Sequence, residues 1–362
     1  MSSRAGDRLR VAYTLEQCWH DVPGGTAVAA LELAAALVAR ADIELIAVAG
    51  RHRHPPHADF VPSMRVRQLP LGRPWLYETW NRFDRPRVER VTGPVDVCHS
   101  TLAIPAATAA PSVVTVHDIA FVHAPKRFSR HGARVMQRGL DRCRTATLVA
   151  CPSEVTRKDL VDVGFDSGRV RVVPWGVSVH AVDQADIDRV RAAYALPDQF
   201  VLFVGTVEPR KNLARLAEAV DRADCRLPLV VAGAAGWGTH VADSATTFLG
   251  YVPADDLGAL YSAATVFAYP SLQEGFGMPV VEAMAYGLPV VTSRGTSAEE
   301  VAGSAAILVD PTDVRSIASG IDRALDQAAF LATAGCEQAA RFSWESCADL
   351  MSAMYHEAAL RR

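Results

Sequence analysis

The sequence lacks the patterns that mark membrane, secreted and zinc-binding proteins. None of its apolar runs approaches the ~18 residues of a transmembrane helix, and its first residues, MSSRAGD, contain no signal-peptide core. The seven cysteines are scattered, odd in number and form no C-x-x-C pair, which argues for reduced thiols and against a disulfide framework. We therefore expect a cytoplasmic protein whose contact with the inner membrane, if it makes one, is peripheral.

Two ligand-binding motifs are also missing or weak. A strand predicted at residues 10–14 is followed by Pro23-Gly24-Gly25 and a helix predicted at 26–40, a common start of nucleotide-binding domains. Because this unit has no G-x-G-x-x-G fingerprint, a dehydrogenase is excluded. Asp186 and Asp188 form D-x-D, but they lie in a polar stretch at 179–198 that we interpret as a linker. No metal and no other cofactor is expected.

The length and charge of the chain indicate two domains of different character. A chain of 362 residues with 50% hydrophobic and 21% charged residues is typical of two globular α/β domains. Residues 1–178 carry 24 Lys and Arg against 17 Asp and Glu, and residues 179–362 carry 13 against 23. The net charges, +7 and −10, predict an anionic partner for the first half, although a solvated surface is the simpler alternative. No nucleic-acid partner is expected.

The most informative stretch lies at residues 265–292, where a glycine loop and a helix separate two predicted buried strands. Gly275 and Gly277 allow the backbone to approach a ligand closely, and free N–H groups at a helix N-terminus favour a phosphate. Glu274 and Glu282 would repel phosphate, but they can accept hydrogen bonds from hydroxyl pairs beside it. A nucleotide sugar offers that combination of diphosphate and diols.

Glu274 and Glu282 have seven residues between them in EGFGMPVVEAMAYGLPVV, which resembles the E-x7-E signature of the retaining glycosyltransferases of family 4. The resemblance implies the GT-B fold, an α/β architecture of two Rossmann-like, doubly wound domains facing each other across a cleft. It implies an acceptor-binding domain at 1–178, a donor-binding domain at 179–342 and a helix at 343–362 that packs back on the first domain. For the two glutamates alone, a Gly-Pro turn with acids on its rim remains the alternative.

The resemblance also implies which residues bind the donor. Glu282 would hold the ribose diol and Glu274 the hydroxyls of the donor sugar, with the amides of residues 275–278 helping. The string EPRKN at 208–212 resembles the family's phosphate-binding segment, although Thr206 stands where some relatives have arginine. The predicted donor-binding residues are Gly24, Gly25, Gly205, Arg210, Lys211, Glu274, Gly275, Phe276, Gly277, Met278 and Glu282.

A histidine completes the predicted catalytic residues. His117 and Asp118 end a strand predicted at 113–117, and the carboxyl ends of strands are where α/β domains bind ligands. The pair could donate a hydrogen bond to a sugar hydroxyl or could cap the following turn. HDIAF at 117–121 resembles a loop of bacterial family members in which the histidine lies near the donor sugar. The predicted catalytic residues are therefore His117, Glu274, Arg210 and Lys211.

Two arginine-rich stretches could serve the acceptor or a membrane. Four aromatic residues alternate with five arginines at residues 73–90, and further arginines recur at helical spacing within 126–144. Aromatic and arginine side chains together can bind an anionic membrane surface or a charged acceptor. The simpler alternative, a helix with core aromatics and a solvated basic face, is favoured.

The predicted function is that of a retaining glycosyltransferase. It would move a hexosyl unit of the mannose, rhamnose or glucose type from a nucleoside diphosphate sugar to a glycan, glycolipid or small-molecule acceptor, as in bacterial polysaccharide synthesis. Two alternatives remain open: another GT-B enzyme such as a nucleotide-sugar epimerase, and a non-catalytic partner subunit that resembles a glycosyltransferase.

Overall fold

The chain folds into two compact units, and the computed structural model describes residues 8–124, 130–234, 236 and 246–361. Unit 1 comprises Met1–Gly176 and Trp344–Arg362, and unit 2 comprises Val177–Ser343. Two sequence features, the start of the basic stretch at 126–129 and Trp237 in a predicted glycine loop, lie outside the described residues.

Unit 1 is built on a seven-stranded parallel sheet with the strand order β3-β2-β1-β4-β5-β6-β7. Its strands are β1 Leu9–Thr14, β2 Ile43–Ala49, β3 Arg67–Gln68, β4 Val97–Ser100, β5 Ser112–Thr115, β6 Leu148–Cys151 and β7 Val170–Val172. Its helices are α1 Gly24–Val38, α2 Trp75–Phe83, α3 Glu89–Thr92, α4 Ala120–His123, α5 Arg130–Cys143, α6 Glu154–Asp162 and, from the end of the chain, α14 Trp344–Leu360.

The central strands of this sheet are short apolar runs buried along most of their length. β4 and β6 are buried throughout, and the last four residues of β1 are buried. Strands covered on both faces need no alternation of apolar and polar residues, which explains the continuous runs in the sequence. β3 is shorter than the strand predicted at 64–69, because Arg67 and Gln68 lie exposed at the edge of the sheet.

Helix α2 divides the four aromatic residues of the stretch at 73–90. Trp80 and Tyr77 are buried in the core with Leu76, as expected for a helix packed against the sheet. Trp75 and Phe83 are 68% and 69% exposed. The prediction of core aromatics is therefore right for two of the four residues and wrong for the other two.

Helix α14 is part of unit 1 and is tied to its sheet by buried polar contacts. The hydroxyl of Tyr355 lies 2.7 Å from Nδ1 of His99, whose Nε2 lies 2.7 Å from Oγ1 of Thr115. Burial lowers the pKa of His99 to about 3, so its ring is neutral at pH 7. Ser352 of the same helix donates to Asp42 at 2.7 Å.

Unit 2 is built on a six-stranded parallel sheet with the order β10-β9-β8-β11-β12-β13. Its strands are β8 Val201–Val204, β9 Leu229–Ala232, β10 Thr246–Gly250, β11 Val266–Tyr269, β12 Val290–Ser293 and β13 Ile307–Val309. Its helices are α7 Gln184–Ala193, α8 Leu213–Arg222, α9 Ala254–Ala263, α10 Met278–Ala285, α11 Ser297–Ala302, α12 Val314–Asp326 and α13 Ala328–Ala339.

The interpretation of residues 179–198 as a linker is wrong, because α7 occupies half of them. Asp183 and Asp186 form a reciprocal capping box at its N-terminus, and Val190 on its inner side is buried. Arg189 and Tyr194 both bond Asp256 of α9, at 2.7 and 2.8 Å. The polar composition hid this helix, since much of its attachment to unit 2 is made by charged and hydroxyl groups.

Candidate functional site

The candidate site of unit 2 lies where the strand order of its sheet reverses. β8 and β11 are neighbours, while the strands that follow them in sequence lie on opposite sides of the pair. In open α/β sheets, ligands bind at the carboxyl ends of the strands at such a point. β8 leads into a 3₁₀ turn at Pro209–Lys211, and β11 leads into the loop that contains Glu274.

These two segments bring the predicted cations and one predicted glutamate together. Nζ of Lys211 lies 2.8 and 3.0 Å from the two carboxylate oxygens of Glu274 and also donates to the hydroxyl of Tyr269. Nη1 of Arg210 lies 3.2 Å from Oε2 of Glu274, and its Nη2 lies 2.8 Å from Oε1 of Glu208. We call these five residues, Glu208, Arg210, Lys211, Tyr269 and Glu274, the ion-pair cluster.

Burial makes the charges of this cluster depend on one another. Burial by itself opposes ionisation of Glu274, but the ammonium of Lys211 and the guanidinium of Arg210 outweigh it and lower the pKa of Glu274 to about 2. Burial and the charge of Arg210 lower the pKa of Lys211, and Glu274 opposes that change. The lowered pKa favours the charged form of Glu274 but disfavours that of Lys211, because Glu274 faces two cations whereas Lys211 is buried beside a second cation, Arg210.

The loop around Glu274 is fixed by hydrogen bonds from three directions. The N–H of Leu272 donates to the carbonyl of Arg210 at 2.8 Å, and Oγ of Ser297 donates to the carbonyl of Glu274 at 2.8 Å. Nδ2 of Asn212 donates to the carbonyls of Pro270 and Pro311. Glu274 therefore has a defined position before any ligand binds.

The glycine loop ends in helix α10, as predicted. Gly277 has φ +101°, and a Cβ at this position would meet Cα of Ala298 at 3.3 Å, so both conformation and space require glycine. Phe276 is buried and packs edge-on against Phe342, with 5.6 Å between ring centroids. Helix α10 begins at Met278; the next residue, Pro279, has no N–H, and the N–H of Val280 donates to the carbonyl of Gly277 at 2.9 Å. Gly275, like its neighbours in the loop, is buried.

Glu282, on the second turn of α10, has a tyrosine donor. The hydroxyl of Tyr261 donates to Oε2 of Glu282 at 2.8 Å, while burial raises the pKa of that carboxyl. The ring of Tyr261 stacks on Tyr286, with 5.8 Å between centroids and 11° between planes. This contact orients the carboxylate that the sequence assigned to a ribose diol.

Gly205 follows β8, but its N–H is already used. It donates to the carbonyl of Ala232 at 2.8 Å, and the carbonyl oxygen of Gly205 lies 2.1 Å from where a Cβ on Gly233 would stand. Any contribution of Gly205 to ligand binding would therefore come from its missing side chain and not from its amide.

His117 lies in unit 1, at the carboxyl end of that sheet. Its Nε2 lies 2.7 Å from the carbonyl oxygen of Thr101, which can only accept, so Nε2 carries the proton. Burial lowers the pKa of His117, and its buried Nδ1 has no hydrogen-bond partner among the described residues. The rings of His117 and Trp175 pack edge to face, with 5.0 Å between their centroids. The free ring nitrogen is therefore an acceptor, whereas the sequence had suggested a donor.

The remaining predicted residues of unit 1 have simpler surroundings. Asp118 accepts from the N–H of Ala120 at 2.9 Å and so caps the following turn, which was one of its two predicted roles. Gly24 and Gly25 begin α1, where Gly24 has φ +61° and no atom lies within 4 Å of an added Cβ. That these two glycines bind the donor, through their amides, remains a prediction.

Three side chains of the site were missed by sequence reasoning. Glu208 could have been noticed, because it stands two residues before Arg210 in the string already singled out. Tyr269 and Tyr261 carried no signal, since tyrosines in buried strands and helices usually fill the core. In the described part of the chain, no group of three His, Cys, Asp or Glu residues could hold a metal ion. None of the described helices is long and apolar enough to cross a membrane.

The family comparisons cover nearly the whole chain. The model described as Glycosyltransferase Family 4 matches residues 23–181, and the model described as Glycosyl transferases group 1 matches residues 186–342. Over 257 residues the chain is 34% identical to the O-antigen chain mannosyltransferase B of Escherichia coli, covering 65% of this chain and 68% of that protein.

Solved structures show the same architecture. Sucrose-phosphate synthase from Thermosynechococcus elongatus has a TM-score of 0.75 at 21% identity, covering 98% of this chain and 100% of that one. An Anabaena protein solved with UDP and glucose has a TM-score of 0.72 at 19% identity, covering 97% and 100%. At these identities the likeness concerns the fold alone, and it confirms the predicted GT-B fold.

Proposed function

The chain belongs to the glycosyltransferases of family 4, and on that premise we propose that it transfers a mannose-type hexose from a nucleoside diphosphate sugar to a glycan acceptor. The observation that carries the proposal is the ion-pair cluster at the switch point of the second sheet, where two cations lie beside a helix N-terminus. The mannose preference rests on the relative from Escherichia coli, whose name states a mannosyltransferase.

The cluster suits a reaction whose leaving group is a diphosphate. Negative charge grows on the phosphate oxygens as the glycosidic bond breaks, and preorganised cations stabilise that charge most effectively where water is excluded. Lys211 and Arg210 are held within 3.2 Å of Glu274 and need little reorganisation. In the absence of a donor, carboxylates balance the charges of these two cations. A bound diphosphate would therefore share the cations with those carboxylates.

The two glutamates and the histidine would position the sugar and the nucleotide. Glu282, oriented by Tyr261, would accept from the ribose hydroxyls, and Glu274 would accept from hydroxyls of the hexose beside Lys211. The Nδ1 atom of His117 would accept from a sugar hydroxyl, because its Nε2 is committed to Thr101. In this proposal the unit with Glu274 binds the donor and the unit with His117 binds the acceptor.

The decisive experiment combines donor binding with product analysis. The wild-type protein would be titrated with GDP-mannose, UDP-glucose and dTDP-rhamnose by calorimetry, and each donor that binds would be incubated with oligosaccharide acceptors. Transfer of the hexose with retained anomeric configuration supports the proposal. Conversion of a donor without any acceptor would indicate an epimerase instead.

Lys211→Met and Glu282→Gln serve as matched variants. Both should lose donor binding in the folded protein, because Lys211→Met removes a cation and Glu282→Gln replaces the proposed ribose-binding carboxylate by a neutral amide. A wild-type protein that binds no nucleotide sugar would favour the non-catalytic partner.

We also propose that unit 1 makes peripheral contact with an anionic membrane surface on the cytoplasmic side. Trp75 and Phe83 are exposed on α2. Three arginines near them are also exposed: Arg82 on α2, Arg85 just after it, and Arg134 on α5, which contacts α2. Aromatic side chains with arginines favour such a surface. Sedimentation with phosphatidylglycerol vesicles should fail for Trp75→Ser/Phe83→Ser, but not for Phe330→Ser, which changes an equally exposed phenylalanine of unit 2. Equal sedimentation of the wild type and both variants would contradict the proposed membrane contact.

A further inference from the structure

Glu208 is a buried carboxylate to which the proposed reaction gives no role. Only 7% of its surface is exposed, and its Oε1 lies 2.8 Å from Nη2 of Arg210. Its backbone carbonyl accepts from the N–H of Lys211 at 3.0 Å, which closes the 3₁₀ turn. Burying a charged group is costly unless it is paired. The role of Glu208 is therefore expected to depend on its effect on its partner, Arg210.

Arg210 is held between two carboxylates. Nη1 lies 3.2 Å from Oε2 of Glu274 and 3.2 Å from the carbonyl oxygen of Gln273, while Nη2 is bonded to Glu208. A planar guanidinium fixed at both ends has a defined orientation. Glu208 therefore holds the Nη2 end of Arg210 and so helps to fix the plane of its guanidinium.

The same contact also sets the charge of the site. Arg210 and Lys211 contribute two positive charges, and Glu208 and Glu274 contribute two negative charges, so the ionised cluster is neutral. Without Glu208 it would carry one positive charge and would attract phosphate more strongly.

That extra attraction would act unequally on donor and product. The diphosphate of a nucleotide sugar has no terminal phosphate, whereas the free nucleoside diphosphate has one whose second ionisation lies near pH 6. The product therefore carries about one more negative charge than the donor at pH 7 to 8. A carboxylate beside the phosphate site repels the product more than the donor.

We propose that Glu208 is a positioning residue that orients Arg210 for the donor and, through its negative charge, promotes release of the nucleoside diphosphate product. The proposal rests on the donor site described under the proposed function. It assigns Glu208 no contact with the reacting atoms.

Two variants separate position from charge. Glu208→Gln keeps an amide oxygen that can accept from Nη2 of Arg210 but removes the charge. Glu208→Asp keeps the negative charge, but its shorter side chain places the carboxylate farther from Arg210. Asp256→Asn is the matched control, because it makes the same change of net charge in unit 2 at a carboxylate bonded to Arg189 and Tyr194.

Calorimetric titration with UDP, GDP and their hexose conjugates measures binding, and steady-state kinetics with the better donor measures turnover. Glu208→Gln should bind the nucleoside diphosphate about tenfold more tightly and the sugar nucleotide with a smaller gain. Its kcat should fall because release slows. Glu208→Asp should bind both ligands more weakly than wild type, and Asp256→Asn should match wild type in every measurement.

The possible failures are distinguishable. If the wild type binds neither nucleoside diphosphate, the proposed donor site is wrong and this inference is wrong with it. If the wild type binds but Glu208→Gln binds equally or less tightly, the inference alone is overturned. A Glu208→Asp protein that binds and turns over like wild type would equally overturn the positioning role.

Discussion

Loss of the Glu274 charge should destabilise unit 2 by about 3 kcal/mol. The folded protein lowers the pKa of this carboxyl from 4.5 to about 2, and that difference corresponds to about 3 kcal/mol of stabilisation at pH 7. A similar size, 3 to 5 kcal/mol, is typical when one partner of a buried ion pair is removed. Glu274→Gln keeps the size of the side chain, so the loss reflects charge and not packing.

The contribution of Glu274 also has a defined pH dependence. Because the folded-state pKa is depressed, the stabilisation is fully present above about pH 4.5 and is lost as the pH falls toward 2. In Glu274→Gln the carboxylate that favours the charged form of Lys211 is absent, so the pKa of Lys211 should fall further. Raising the pH should then neutralise Lys211 and recover part of the lost stability.

Differential scanning calorimetry without ligand measures the effect. For a unit of about 170 residues, 3 kcal/mol corresponds to a fall in Tm of about 6 to 12 °C. Lys211→Met/Glu274→Gln should be more stable than Glu274→Gln, because an apolar side chain replaces a buried unpaired ammonium. Asp256→Asn, which breaks a more exposed ion pair in the same unit, should cause a much smaller change. Strictly additive effects of the Lys211 and Glu274 substitutions would refute the coupling.

Three further predictions concern single contacts. Burial holds the pKa of His99 near 3 in the folded protein, whereas the unfolded chain binds a proton on this histidine below about pH 6.5. Acidification from pH 7 to 5 should therefore lower the free energy of unfolding of unit 1 by about 2 kcal/mol. In urea titrations the free energy of unfolding should depend less steeply on pH for His99→Gln than for wild type, and an unchanged dependence would contradict this. Gly233→Ala should destabilise by about 3 kcal/mol or more, since its Cβ would stand 2.1 Å from the Gly205 carbonyl oxygen. Gly250→Ala, with φ +71° and open space, should cost only about 1 kcal/mol in the same thermal assay, and equal losses would count against the steric explanation. Tyr261→Phe should raise the KM for the donor about two- to tenfold with kcat little changed. Tyr286→Phe, which keeps the stacked ring, should have wild-type kinetics. A fall in kcat alone for Tyr261→Phe would disprove an orienting role for Tyr261.

The sequence predicted the order of the elements well where burial is uniform. Strands such as β8 and β11 are short apolar runs between glycine loops and amphipathic helices, and few other structures satisfy that pattern. Prediction from the sequence failed where a helix is held to its unit by polar contacts instead of apolar ones. Helix α7 was taken for a linker because its attachment depends on Arg189 and Tyr194 bonding Asp256, and such pairs leave no periodic apolar signal.

By itself the sequence determined the family and the residue types of the site. The spacing of Glu274 and Glu282 around a glycine loop, and the adjacent Arg210 and Lys211, are local facts that need no fold to be recognised. Only the tertiary structure decided that Lys211 and Glu274, 63 residues apart, share one buried ion pair. That outcome depends on β8 pairing with β11, a non-local choice that brings two loops to the same edge of the sheet. Glu274, brought in by that pairing, and Glu208, which stands two residues before Arg210, together neutralise a site that the sequence had presented as cationic.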